Sequence, residues 1–316
     1  MKLALILIPA ILCAQEAEKT ITFQHPKTPE QAGELATALT LIGQLKAQVT
    51  EAGIVVTGTP AQIDFAAWAV PQLEPAGHAA SADFPLAGEK VRILHVAQAP
   101  SKQAFQEMAT AMRSVTVIRQ LAAYYSTGSI ILRAPPADLD AAEWIWDQLD
   151  RATPAKPTQT HKRPIPASPS REDLQDTFAV FSVTRSTDVR GFQGIVTAVR
   201  SIVELPFIFS YYPSQSIVVR GPASSMDMVT WLVRQLDQSP VPNSTSEFRS
   251  PAVDDAINIF YLPASTSLTE LQERATQIRD AANIRRLYSY LPDRALLVRG
   301  TASQLAQARR LLAPSN

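Results

Sequence analysis

An internal repeat constrains this chain more than any other feature. Three segments of equal length, Val91–Ala134, Phe178–Gly221 and Ile257–Gly300, carry the same residue types at the same offsets without a gap. Leu94, Phe181 and Phe260 correspond, as do Phe105, Phe192 and Leu271, and then Met112, Val199 and Ile278. Polar positions repeat as well. Arg113, Arg200 and Arg279 form one set, Tyr124, Tyr211 and Tyr290 a second, and Arg133, Arg220 and Arg299 a third. A shorter first copy joins them. Its Ile54-Val55-Val56-Thr57-Gly58 matches the closing strand, and Trp68 then falls at the offset of Trp144 and Trp231, where the fourth copy has Arg310. The first copy lacks the Tyr and Arg positions, as terminal members of repeat arrays often depart from the consensus.

Periodicity gives each copy its elements. Val91, Ile93 and His95 alternate with Arg92, Leu94 and Val96 in a short strand. Ser101 is placed to cap a helix with Phe105, Met108, Ala109 and Met112 on one stripe, and Ser265 to do the same ahead of Leu268 and Leu271. Two strands follow across a turn at Ser126–Ser129, and Leu139, Ala142, Ile145 and Trp146 mark a closing helix. The fold class is therefore α+β: four tandem βαββα modules, each a three-stranded sheet with two helices on one face. They are expected at residues 19–74, 90–150, 177–237 and 256–313, joined by Pro-rich linkers of which 151–176 is the longest. The chain holds 24 prolines against 11 glycines, which suits semi-rigid spacers.

Residues 1–14 read as a signal peptide. Lys2 precedes an apolar run from Leu3 to Leu12 that is too short to span a bilayer, and Ala14 is a small residue at a cleavage point. Cys13 is the only cysteine, so lipoprotein anchoring is the alternative to plain cleavage, although Leu12 is large for that motif. The expected location is the periplasm or the medium, with no transmembrane segment in the mature chain. Twenty-nine basic and 29 acidic residues cancel, leaving no global field toward nucleic acid or an acidic membrane.

The apolar first strand, the amphipathic helix and the closing Ile-Val-Val-x-Gly strand resemble the N-domains of secretins, ring-building modules of KH-like topology. The stretches that carry the resemblance are Ile54–Leu73, Ile130–Leu149, Ile217–Leu236 and Leu296–Leu312. It implies a non-catalytic scaffold or interaction protein of the bacterial envelope, working with protein partners or by self-association. The sequence stops at Asn316 directly after module four, so the expectation is the periplasmic part of that family without its pore. The alternatives are a binding protein for cell-wall glycan and an unrecognised enzyme.

Residue by residue, no site chemistry stands out. No P-loop, GxSxG or dinucleotide fingerprint occurs, and His25, His78, His95 and His161 lack partners at metal-ligand spacing. Gly191-Phe192-Gln193-Gly194 matches the nucleic-acid loop of KH domains, but in one copy only and without a basic cluster. No catalytic residue, cofactor, metal or nucleic acid is expected. Strand alternation puts Arg133, Arg220 and Arg299 on the sheet face away from the helices. With Tyr124, Tyr211 and Tyr290 they form the candidate interaction face. The competing account is solvated arginines that shield an open sheet or pair with a nearby carboxylate. Trp68, Trp144 and Trp231 read as packed aromatics of a duplicated core.

Overall fold

The computed structural model describes residues 16–74, 83–97, 101–116, 118–150, 160–164, 176–185, 188–249 and 255–313. The signal segment with Cys13, His78 and most of the prolines of 151–176 lie outside them. Contacts divide the chain into two compact units. One runs to His95 and includes Arg119–Pro135; the other is Val96–Ile118 with Pro136 onward.

The first unit holds β1 (Ala17–Thr22), α1 (Pro29–Gly43), β2 (Lys46–Thr50), β3 (Gly53–Gly58) and α2 (Pro60–Gln72). It continues with β4 (Phe84–Leu86), β5 (Glu89–His95), β6 (Gln120–Tyr124) and β7 (Ser129–Ala134). Its sheets have the orders β1-β3-β2 and β4-β5-β7-β6, with every pairing antiparallel. The second unit holds α3 (Lys102–Val115), α4 (Pro136–Leu149), β8 (Thr160–Pro164), β9 (Asp176–Ser182), α5 (Val189–Val203), β10 (Phe207–Tyr211), β11 (Ser216–Pro222) and α6 (Ala223–Leu236). It ends with β12 (Thr245–Arg249), β13 (Ala256–Tyr261), α7 (Leu268–Ala282), β14 (Arg286–Tyr290), β15 (Ala295–Gly300) and α8 (Ala302–Leu312). Its sheets run β10-β11-β9-β8 and β12-β13-β15-β14.

The elements start and stop for local reasons. Thr28 and Thr59 close capping boxes with Gln31 and Gln62, each with proline next in the chain, which satisfies donors that a helix start leaves free. Ser101 caps α3 through the Ala104 amide. The cap of α7 is Ser267, not Ser265, because a turn from Pro263 O to Thr266 N occupies the earlier position. Gln44, Glu204 and Asn283 end α1, α5 and α7 in left-handed backbone, while α3 ends on Thr116 in extended backbone.

Three of the four sheets carry one strand more than the sequence suggests. β4, β8 and β12 come from segments expected as spacers and pair antiparallel with the next strand of the chain. They are three to five residues long, and Pro85 and Pro164 lie within them. Proline is tolerated there because an edge strand leaves one side of its backbone unpaired.

The last sheet is apolar on both faces, and the two faces belong to different cores. Phe260, Leu296 and Val298 pack with Leu271, Ile278 and Leu305 of α7 and α8. Ile257, Ile259, Leu297 and Tyr290, on the opposite face, join the cluster of Ile195, Val199 and Ile202 from α5. The first unit repeats the plan: Val91, Ile93, Ala122, Tyr124 and Ile131 join Leu35, Leu39 and Ile42 of α1. One helix therefore serves its own sheet and also the next one.

Candidate functional site

The six repeated side chains are buried or nearly so, and Tyr124 and Tyr290 belong to these shared cores. Tyr124, Tyr211 and Tyr290 are 0%, 2% and 0% exposed. Arg133 and Arg220 are 8% and 3% exposed, and Arg299 has 9% of its side chain exposed. In each of the later three sheets one face is covered by an earlier helix: α1 on β6 and β7, α3 on β10 and β11, and α5 on β14 and β15.

The arginines meet helix ends. Arg133 Nη1 donates to Ile42 O at 3.1 Å and Arg299 Nη1 to Ile202 O at 3.2 Å, in the last turns of α1 and α5. Those carbonyls lack intrahelical donors and carry the negative end of the helix dipole, so a guanidinium is favourable there. Glu89 pairs with Arg133 at 2.9 Å. Asp255 pairs with Arg299 at 3.3 Å and also with Arg286, which reaches Glu204 at 2.6 Å. Burial, then the Arg286 charge, hold Arg299 below its ordinary value, against the pull of Asp255 and Glu204. Arg220 differs. It pairs with Asp176 at 2.8 Å and lies 4.6 Å from the Phe207 ring centre, and among the described residues its Nη1 has no acceptor. The helix over it, α3, lacks the left-handed end that α1 and α5 share.

A second set of groups, not singled out by the sequence, fixes the same joints. Glu34, six residues past the cap of α1, accepts from Tyr125 N at 2.7 Å and from Ser126 Oγ at 3.0 Å. Glu107, at the same step of α3, accepts from Tyr212 N at 3.3 Å. The corresponding residue of α5 is Gly194. A Cβ there would stand 2.9 Å from the Tyr290 ring. The Gly-x-x-Gly of α5 thus has a steric role, with Phe192 buried and the Gly191 amide taken by Asp188 at 2.7 Å. Gly194→Ala trades about 1 kcal/mol of helix propensity against that crowding. Gly194→Leu loses about 1–3 kcal/mol to overpacking in urea denaturation, and a stability equal to the parent would remove the steric account.

Closing-helix carboxylates form a third set. Glu74 accepts from Gln24 N at 3.0 Å, Asp150 from Ala97 N at 2.6 Å, and Asp237 from Thr184 N and Arg185 N at 3.0 and 2.8 Å. All three sit sixteen residues past Gly58, Ala134 and Gly221, so equal spacing was the signal that could have found them. Lys27 lies beside Glu74 at 4.0 Å, between the rings of Phe23 and Tyr124, where burial pushes its amine down and Glu74 opposes. His25 bonds Glu74 at 2.8 Å, and Arg185 pairs with the buried Asp293 at 2.5 Å.

The tryptophans join neighbouring elements. Trp68 lies 5.2 Å from Phe84 of β4, and Trp231 lies 5.6 Å from Phe248 of β12. Trp144 is half-buried on α4. His95 bonds Ser129 Oγ at 2.7 Å. Among the described residues no group of three or more His, Cys, Asp or Glu could hold a metal, and no helix is long and apolar enough to cross a membrane.

The N-terminal domain of the secretin XcpQ from Pseudomonas aeruginosa is 12% identical, with 70% of this chain and 100% of that chain covered, at a TM-score of 0.25. ExeD of Aeromonas hydrophila is 14% identical over 71% of this chain, at a TM-score of 0.18, and the match spans 41% of ExeD. No family model and no curated protein matches.

Proposed function

We propose that this chain is a non-catalytic, exported scaffold of the bacterial envelope that docks protein partners, built from tandem βαββα repeats of the secretin N-domain type. The observation that carries this reading is the use made of the repeated groups. Arg, Tyr, Glu and Trp recur where one element meets the next: Arg133 and Arg299 donate to helix-end carbonyls, and Glu34 and Glu107 accept from turn amides. Such residues specify an architecture. Among the described residues, contact with partners then falls to outer surfaces and to the strands at sheet edges, where β10 exposes 36% of Phe207. An edge strand offers unpaired backbone groups to an extended segment of a partner.

The test is photo-crosslinking in the native cell from a probe at position 207, with fractionation of the chain. The reading expects the chain beyond the inner membrane and one discrete protein adduct. A chain retained in the cytoplasm contradicts export. Retention on purified cell-wall glycan with no protein adduct would favour a glycan-binding protein instead.

A further inference from the structure

We infer that the helix-on-sheet joint is closed at the first sheet and at α7 by their own residues, so that a second copy does not add through either. This does not rest on the proposed function, since a closed series is compatible with any outside partner.

The joint has a readable pattern on the helix side. Positions seven, ten and fourteen residues past the N-cap are Leu35, Ala38 and Ile42 in α1, Met108, Ala111 and Val115 in α3, and Ile195, Ala198 and Ile202 in α5. All nine are at most 2% exposed. In α7 the same positions are Arg274, Gln277 and Ala281; the first is half-buried and the other two are exposed. Glu273, at the step of Glu34 and Glu107, is exposed as well. A helix with one apolar stripe can bury one face, whereas α1, α3 and α5 have a second.

The acceptor that a further arginine would need is already occupied. Ile42 O and Ile202 O receive Arg133 and Arg299. The equivalent Ala281 O accepts from Gln307 Nε2 of α8 at 2.7 Å. Seven residues past the third strand, the other copies have Phe65, Ala141 and Met228 in place of Gln307. Arg310 likewise stands exposed at the tryptophan position.

The first sheet is modified to match. It has Thr57 where the others have arginine and Thr50 where they have tyrosine. The register puts Glu18 and Lys46 beside Thr57, and Thr20 and Gln48 beside Val55. Glu18, Thr20, Lys46, Gln48 and Thr50 are all exposed. This face is polar where the fourth sheet has Ile257, Ile259 and Leu297. The first sheet and α7 thus both carry polar surfaces, as capping members of repeat arrays do.

Sedimentation equilibrium of the full chain tests the inference. The parent should show no gain of mass with concentration that depends on α7 or on the first sheet. A variant with the joint restored at both places (Arg274→Ile, Gln277→Ala, Ala281→Ile, Gln307→Met, Thr50→Tyr and Thr57→Arg) should gain mass with concentration, to several chains, because a head-to-tail contact that does not close propagates. If that variant is folded by circular dichroism and still has the mass of the parent, the inference fails. Two single substitutions keep the test open should the variant not fold. Parent self-association that Gln277→Arg or Gln48→Arg abolishes would overturn the inference. Association that both leave unchanged lies elsewhere and leaves the two joints closed.

Discussion

Arg220→Met should cost about 3–5 kcal/mol in urea unfolding of the second unit, the range for removing one partner of a buried ion pair. The two side chains are 3% and 8% exposed, and the pair is 2.8 Å apart. Met fills much of the arginine's volume and can keep contact with Phe207, so the loss reports the charge left on Asp176 and not a cavity. The same substitution in an Asp176→Asn background should cost far less, because no buried anion remains unpaired. Equal costs in the two backgrounds would show that the pair is uncoupled. Arg133 and Arg299 should be costly for a further reason, since each also serves a helix end.

Alkaline titration should reveal the buried tyrosines with a comparable effect. Burial first, and then the nearby charges of Asp150 and Glu107, push Tyr211 up to about 12. Burial, with Asp293 nearby, does the same to Tyr261. An unfolded tyrosine ionises near 10. Because the folded value is raised, the stabilisation is complete below pH 10 and is lost as the pH climbs toward 12. Only the unfolded chain releases its protons in that window. Each group steepens the fall by at most about 1.4 kcal/mol per pH unit, so the two together approach about 5 kcal/mol. Tyr211→Phe should flatten the slope by one group's share. A slope unchanged by that substitution would mean that Tyr211 already ionises freely in the folded chain.

Much of the architecture is legible in the sequence because apolar spacing and caps act locally. Phe105, Met108 and Met112 mark α3, and Ser101 starts it. The edge strands are not legible, because β4 has only three residues and one of them is Pro85. Nothing short of its pairing to β5 distinguishes it from a spacer. Alternation places Arg299 with Leu297, and the register keeps them on the face opposite Leu296 and Val298. What covers that face is a long-range fact. The covering helix α5 lies far earlier in the chain, so no local pattern around Arg299 announces it. A signal did exist in the helices themselves. Ala38, Ala111 and Ala198 extend the apolar surface of α1, α3 and α5 beyond one stripe, and Gln277 interrupts it in α7. The closing-helix carboxylates were obscured for a different reason. Glu74, Asp150 and Asp237 differ in type and are visible as a set only by spacing.

The central claim is that the repeated tyrosines and arginines are internal joints. Nitration of the folded chain with tetranitromethane, mapped by peptide mass spectrometry, tests it most directly. Tyr212, 36% exposed, should be modified readily, while Tyr124, Tyr211 and Tyr290 should stay unmodified until urea unfolds the chain. Modification of those three at the rate of Tyr212 under native conditions would put them on an open face and contradict the account.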